Sequence, residues 1–260
     1  MTIHFQEHGD MSAPLMVFLH GGGVSSWMWD RQVQHFNHYH CIIPDLHGHG
    51  RSRNIPFSIE RSAEEIIRLI EEKGKDKKVI LIGFSLGSQV IIQLLSESSH
   101  LVDFSIINSA LVRPITYGKS LIRPTIRFSY PLIKQRWFSK LQAKTLFVNE
   151  EQFEKYYEES NRMTFEGLVN IMEENMSFQI PKDFRLANGK ILVTVGEKEK
   201  SIMKKSAKDI VNANSNCLGI TIPNIGHGVP LAMPDYFNRM VETWILEGKL
   251  PGDGLIIERK

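Results

Sequence analysis

The chain contains the stretch Val79-Ile80-Leu81-Ile82-Gly83-Phe84-Ser85-Leu86-Gly87, and a second apolar run, Val90-Ile91-Ile92, follows it. This order predicts a strand, a sharp turn and a helix. The serine of such a turn has a strained backbone, and side chains two residues to either side would collide, so glycine is needed at both places. The turn would present the hydroxyl of Ser85 at the sheet edge and the amide of Leu86 at the start of the helix. Ser85 is therefore a candidate nucleophile, with an ordinary glycine-bounded turn as the alternative.

Short apolar runs like the one before Ser85 recur along the chain. They are continuous rather than alternating, which is typical of strands buried on both faces of a sheet. Ile59 to Glu72 and Ser85 to Ser96 have helical spacing. The sequence therefore predicts an α/β fold with a mostly parallel central sheet, helices on both faces and a site at the carboxyl ends of the strands. The predicted strands are Leu15 to Leu19, Cys41 to Pro44, Val79 to Gly83, Phe104 to Asn108, Lys190 to Gly196 and Cys217 to Ile222.

The strand pattern stops from about Arg113 to Phe184, where aromatic residues and methionines stand among many charges. This composition predicts a helical insertion, 113–184, in a core formed by residues 1–112 and 185–260. The tail at Leu255-Ile256-Ile257 fits either a short added strand or a loosely packed end. Four prolines are expected to break the insertion into short helices: Pro114, Pro124, Pro131 and Pro181.

The composition is that of one large α/β domain of 260 residues. Lys and Arg number 31 and Asp and Glu 29, a formal net charge of +2 without a long basic block, so we expect no nucleic-acid partner. No apolar run reaches membrane-spanning length and the N-terminus has no targeting pattern, so we expect a soluble, cytoplasmic protein. Cys41 and Cys217 lie in apolar runs and are expected to be small buried residues in a reduced compartment, with a disulfide as the alternative.

A serine nucleophile needs a base and a third group that orients the base. His227 lies between glycines just after the last predicted strand, and no other of the ten histidines has such a position. A structural loop histidine is the alternative interpretation. Glu199 follows another strand at the same sheet edge and is the predicted acid, with Glu197 and Asp209 as alternatives. The chain order would be nucleophile, acid, base.

A triglycine follows the first predicted strand, in His20-Gly21-Gly22-Gly23. Residues without side chains can bring backbone amides close to a substrate oxygen. Gly22 is the expected oxyanion donor beside Leu86, and Gly23 is the register alternative.

We expect no metal and no cofactor. Five histidines are close in sequence, but no cysteine pair or acidic ligand set accompanies them, so surface positions are expected. They are His35, His38, His40, His47 and His49. No phosphate-binding loop or dinucleotide motif is apparent.

These features together resemble the α/β-hydrolase fold family over nearly the whole chain. The resemblance implies that the helical insertion is a cap between the strands that are counted as six and seven in the family. It also implies that an Asp-x-x-Gly-x-Gly-x-Ser segment shapes a loop beside the site. Many relatives have aspartate where this chain has Glu199, whose extra methylene the loop must accommodate. The matching segments are His20-Gly21-Gly22, Trp27 to Trp29, Pro44 to Ser52, the turn at Ser85 and Gly226-His227.

The resemblance and the ordered residues imply a serine hydrolase. An apolar cap favours a carboxylesterase that cleaves a small or medium hydrophobic ester through an acyl-enzyme. The same triad could serve carbon–carbon bond hydrolysis, a lyase reaction or cofactor-free peroxidation, and a non-catalytic ligand receptor is a third class.

Overall fold

A computed structural model describes residues 3–115, 119–250, 252 and 254–259. Its strands are β1 (Phe5–Gly9), β2 (Leu15–Leu19), β3 (His40–Pro44), β4 (Val79–Phe84), β5 (Phe104–Asn108), β6 (Lys190–Gly196), β7 (Cys217–Ile222) and β8 (Leu255–Ile256). They form one sheet in the order β1-β3-β2-β4-β5-β6-β7-β8. The two edge strands are antiparallel to their neighbours and the strands between them are parallel. The predicted α/β class and mostly parallel sheet are confirmed.

The sheet is buried on both faces, as the continuous apolar runs predict. Along β2, Leu15 and Val17 pack into one hydrophobic core cluster, whereas Met16 and Phe18 pack into the other. Because successive side chains of a strand point to opposite faces, the two clusters lie on opposite sides of the sheet. β1 was not predicted, since its half-exposed pattern gives it no apolar run.

Helices cover both faces of the sheet. The described α-helices outside the segment between β5 and β6 are α1 (Asp30–His35), α2 (Ile59–Lys73), α3 (Leu86–Ser98), α8 (Ser201–Ala213), α9 (Val229–Ala232) and α10 (Pro234–Glu247). α2, α3 and α8 contribute to one core cluster, and α10 contributes to the other. Within the described residues, no helix is both long and apolar enough to cross a bilayer.

In the described part of the segment between β5 and β6 there are four α-helices: α4 (Lys119–Ile133), α5 (Arg136–Thr145), α6 (Glu150–Arg162) and α7 (Phe165–Ser177). They occupy residues 119–177 of the predicted helical insertion, 113–184. The expectation that Pro124 and Pro131 each end a helix is wrong, because both lie inside α4. Both prolines are exposed, so water can satisfy the carbonyls that lose a helical partner, and the buried side of α4 packs on α7 through Ile126 and Val169.

Candidate active site

Ser85 lies in a sharp turn between β4 and α3. Its backbone, with a φ of 51° and a ψ of −110°, has a conformation that residues other than glycine rarely adopt. The turn is held by the adjacent strand, because the Ser85 amide donates to the carbonyl of Asn108 over 2.8 Å. A Cβ added to Gly83 would lie 2.9 Å from the backbone nitrogen of Ser88, and one added to Gly87 would lie 2.3 Å from the carbonyl oxygen of Leu19. Both glycines therefore permit close backbone contacts that the turn requires.

The close approach at Gly87 gives a stability prediction. In Gly87→Ala the new methyl collides with the backbone of β2, which cannot move away like a flexible side chain, so we expect a loss of about 3 kcal/mol or more in the free energy of unfolding. Gly226→Ala is the matched control, because a Cβ there meets nothing within 4 Å. Urea unfolding of both variants measures the difference. Equal stability of the two variants would contradict the collision.

The structure brings Glu199 and His227 together. His227 Nδ1 lies 2.8 Å from Oε2 of Glu199, whose side chain is 1% exposed. The other carboxylate oxygen accepts from Ser109 Oγ over 2.6 Å and from the Gly196 amide over 2.9 Å. Burial alone would raise the pKa of Glu199, but the hydrogen bonds from His227, Ser109 and Gly196, together with the charge of His227, lower it. Glu199 is thus ionised and accepts a hydrogen bond from Nδ1–H of His227, an arrangement that leaves Nε2 of the ring outside this contact.

The two alternative acids have other partners. Glu197 accepts from the amide of Asn224 over 2.8 Å. Asp209 forms a bidentate ion pair with Arg113, in which the Nη2 to Oδ1 distance is 2.8 Å. Of the three carboxylates that the sequence offers, Glu199 is the one that contacts His227.

His227 lies beside the turn that carries Ser85. Its ring centroid is 4.8 Å from that of Phe84, the residue before the serine, and its side chain is 31% exposed. In the described structure Ser85 and His227 do not form a direct hydrogen bond. Catalytic hydrogen bonds are often long without substrate and tighten in the Michaelis complex.

The triglycine loop reaches the same place as Ser85. Gly22, Gly23, Ser85 and Leu86 line one cavity. The loop is fixed from behind by His20, whose Nδ1 donates to the Gly21 carbonyl over 2.7 Å and whose Nε2 accepts from the amide of Leu46 over 2.9 Å. Burial lowers the pKa of His20, so the ring is neutral and holds the tautomer that both bonds require.

Glu159 of α6 also holds this loop. Its carboxylate accepts from Ser25 Oγ over 2.6 Å and from Trp27 Nε1 over 2.8 Å, both of which follow the triglycine in the chain. Asp45 fixes the same segment from the core side, because it accepts from the amide of Ser26 over 3.0 Å. Burial raises the pKa of Glu159, and the charge of Asp45 acts in the same direction.

The cavity at Ser85 has a volume of about 290 Å³. Apart from the turn and the glycine loop, its described lining comes from the helical insertion. Among the described residues that line it, none is charged. The insertion contributes Tyr130, Ile133, Gln142, Thr145, Leu146, Tyr156, Ser160, Met163, Leu168, Ile171, Met172 and Asn175. The wall is therefore apolar with a few neutral hydrogen-bonding groups.

Three of the neighbouring histidines are not surface residues as expected. His40, His47 and His49 are buried. His40 Nε2 contacts Glu7 at 2.7 Å, and burial lowers the pKa of His49 to about 3. Within the described residues, no group of three or more His, Cys, Asp or Glu side chains is placed to hold a metal ion.

Ser109 and Glu159 were missed by the sequence reasoning. Ser109 directly follows β5 at the carboxyl edge of the sheet, and a polar residue at the end of a buried strand was a usable signal. Glu159 gave no signal, because it is one of several glutamates on the charged helix α6.

Comparison with known proteins assigns the fold. A family model described as "Alpha/beta hydrolase family" matches residues 16–240. The (E)-2-((N-methylformamido)methylene)succinate hydrolase of Acinetobacter baylyi is 24% identical and covers 94% of both chains. The 2-hydroxy-6-oxo-6-(2'-aminophenyl)hexa-2,4-dienoic acid hydrolase of Metapseudomonas resinovorans is 21% identical over 85% of this chain and 80% of its own. A thermophilic esterase from Thermogutta terrifontis, solved with malate bound, superposes with a TM-score of 0.77 at 20% identity, covering 94% of this chain and 92% of its own.

Proposed function

The chain belongs to the alpha/beta hydrolase family, and we propose that it is a serine hydrolase that cleaves small, uncharged carboxylic esters through an acyl-enzyme. The observation that carries this proposal is the uncharged described lining of the cavity at Ser85. The names of the two hydrolase relatives describe acidic substrates. A carboxylate buried without a cation costs several kcal/mol, so this cavity favours a neutral ester.

In the proposed mechanism, Nε2 of His227 takes the hydroxyl proton as Ser85 Oγ attacks the ester carbonyl. The tetrahedral adduct collapses, and His227 gives its proton to the departing alcohol. A water then attacks the acyl-enzyme, with His227 again as the base, and the acid product leaves Ser85 free. Glu199 holds the imidazole through Nδ1 and stabilises the imidazolium that forms at each step.

The negative oxygen of the adduct would be held by two backbone amides. We assign one to Leu86, the first residue of α3, where the helix N-terminus also favours negative charge. The other belongs to Gly22, with Gly23 as the register alternative. Both glycines line the same cavity as Ser85, which supports the assignment.

The helical insertion would act as a cap over this site. We propose that the core comprises residues 1–112 and 185–260 and that the cap comprises residues 113–184. The support is the cavity itself, because α4 to α7 supply its described lining above the turn and the glycine loop. An apolar cap excludes water and strengthens the electrostatic interactions at the reacting carbonyl.

We place the protein in the cytoplasm. Cys41 and Cys217 are both buried and free, and burial raises the pKa of each thiol to about 12. Two protonated, unpaired thiols suit a reducing compartment, where disulfides are rare.

Two esters that differ by one charge test the substrate class. p-Nitrophenyl butyrate and p-nitrophenyl hemisuccinate have acyl chains of equal length, but the second ends in a carboxylate. We expect kcat/KM to be about 10²-fold or more higher for the butyrate, because the described cavity lining offers no cation to the carboxylate. Release of p-nitrophenol measures both rates.

A phosphonate tests the acyl-enzyme step separately. We expect a fluorophosphonate to stop turnover and to add one covalent adduct, which peptide mass spectrometry would locate at Ser85. Faster turnover of the hemisuccinate ester would overturn the neutral-substrate proposal. An unmodified Ser85 in an enzyme that still turns over would overturn the acyl-enzyme.

Glu159 is expected to act as a positioning residue for the triglycine loop. In Glu159→Ala the loop loses both hydrogen bonds to α6, so we expect kcat to fall about 10-fold to 100-fold while KM changes less than about 3-fold. Glu159→Gln should recover part of the loss, because its amide can still accept from Trp27. Glu158→Ala is the matched control, since Glu158 pairs with Arg162 of the same helix. Steady-state kinetics give both constants, and an effect confined to KM would contradict the positioning role.

A further inference from the structure

Charge is unevenly distributed within the helical insertion. Residues 119–145, which form α4 and α5, contain seven lysine or arginine residues and no aspartate or glutamate. The chain as a whole has a formal net charge of only +2, so this segment departs strongly from the average. The basic residues are Lys119, Arg123, Arg127, Lys134, Arg136, Lys140 and Lys144.

The same two helices expose large apolar side chains. On α4, Leu121, Phe128 and Leu132 are exposed, and their spacing of seven and four residues places them on one stripe. Phe128 is 87% exposed. The buried side of α4 is a different stripe, through Ile122 and Ile126. α4 is therefore apolar on two faces, of which the core uses one.

α5 repeats the pattern on its exposed side. Trp137 and Leu141 are four residues apart and both are exposed, Trp137 by 62%. The buried positions of this helix are the small residues Ser139 and Ala143. The largest side chain of α5 thus faces outward rather than into the core.

Only part of the positive charge has partners within the protein. Arg123 pairs with Glu166 and Arg136 pairs with Glu154, so the acidic helices α6 and α7 neutralise two of the basic residues. Lys140 lies over the ring of Phe153. In the described residues, the side chains of Arg127 and Lys144 form no hydrogen bond or ion pair. Packing against α6 and α7 explains some of the charge but neither these two cations nor the apolar stripe.

We propose that the exposed faces of α4 and α5 form a docking surface for an anionic lipid bilayer. Amphipathic helices that lie in the headgroup region of a bilayer have basic residues beside protruding Phe, Trp and Leu side chains, as this surface does. The cations meet the lipid phosphates and the apolar side chains enter the acyl boundary. This surface is separate from the proposed hydrolase site and does not depend on its reaction.

A bilayer fits this surface better than a second copy of the chain. A two-fold symmetric dimer places each patch against itself, so the unpaired cations of one copy would face those of the other. Anionic lipid supplies the opposite charge and a fluid apolar medium together.

Trp137 provides a built-in reporter of docking. The chain has four tryptophans, and Trp27, Trp29 and Trp244 are buried. We expect a blue shift of the emission maximum and reduced acrylamide quenching with vesicles that contain 30% phosphatidylglycerol in phosphatidylcholine. Pure phosphatidylcholine vesicles should give no shift, and 0.5 M NaCl should weaken the binding at least 10-fold. Trp137→Phe should remove the optical signal while leaving most of the co-sedimentation.

Two variants separate the charge from the apolar contribution. We expect the pair Arg127→Glu and Lys144→Glu, combined, to weaken vesicle co-sedimentation at least 10-fold, and Phe128→Ser to weaken it about 10-fold. Lys205→Glu and Leu246→Ser are the matched controls, because both residues are exposed on other helices. Circular dichroism checks that each variant is folded.

Four results would overturn the docking surface. They are no co-sedimentation with anionic vesicles at low salt, equal binding to neutral vesicles, wild-type binding by the α4 and α5 variants, or equal losses in the controls. Analytical ultracentrifugation adds a fifth: a dimer that Phe128→Ser dissociates, without any vesicle binding, would assign this face to a second copy of the chain.

Discussion

Ser85→Ala is expected to lower kcat/KM for p-nitrophenyl butyrate by about 10⁴-fold or more. Without the hydroxyl no acyl-enzyme forms, and only the oxyanion amides and substrate binding remain to accelerate attack by water. Alanine keeps the Cβ, so the backbone at this turn is as strained as before and the free energy of unfolding should change by less than about 0.5 kcal/mol. Ester turnover and urea unfolding of the same preparation measure the two effects.

Ser85→Gly distinguishes the catalytic from the conformational role of this residue. Glycine adopts a φ of 51° with a ψ of −110° readily, so the variant should be equally inactive but more stable than Ser85→Ala by about 1 kcal/mol. If Ser85→Ala kept most of the activity, the proposed nucleophile would be wrong. If the wild type bound the substrate without any turnover, the interpretation as a ligand receptor would replace the interpretation as an enzyme.

The strands were predictable because the pattern that indicates each of them lies within a few consecutive residues. Four of the six predicted strands, among them Leu15–Leu19 and Lys190–Gly196, have the observed bounds. A strand buried on both faces is a continuous apolar run. Gly83 is required by a backbone contact within the turn itself, whereas the close contact of Gly87 with β2 was predictable only through the glycine spacing around the serine. Edge strand β1 lacks such a run and was missed.

The supports of the site were not predictable, because they join distant parts of the chain. Ser109 and Glu199 are 90 residues apart, and Ser25 and Glu159 are 134 apart. Serine and glutamate are ordinary residues in loops and on charged helices, and only the folded chain brings them into contact. Pro124 shows the same limit from the other side, because tertiary packing of α4 outweighs a local helix-breaking preference.

Glu199→Gln is expected to lower kcat about 10³-fold to 10⁴-fold with little change in KM. The carboxylate accepts from three donors, whereas a glutamine replaces one acceptor oxygen with an NH₂ group. If that group faces His227, the imidazole must accept at Nδ1 and carry its proton on Nε2, so it cannot serve as the base. If it faces Gly196 instead, two N–H donors oppose each other in a buried site. Glu197→Gln and Asp209→Asn should retain activity within about 3-fold, and a loss as large in either control would move the acid role to that residue.

The same variant should also lose a pH-dependent part of the stability. Folding lowers the pKa of Glu199 from its ordinary value of 4.5, so the folded state binds this proton less readily than the unfolded state does. The stabilisation is therefore fully present above pH 4.5 and is lost as the pH falls and the folded carboxyl becomes protonated. Urea unfolding of the wild type and of Glu199→Gln between about pH 3 and pH 7 gives the difference in unfolding free energy. That difference should be constant near neutral pH. At acid pH the free energy of unfolding of the wild type should fall relative to that of the variant, since glutamine does not titrate. A difference that stays constant over the whole range would mean that Glu199 is not the buried, hydrogen-bonded carboxylate on which the proposed triad depends.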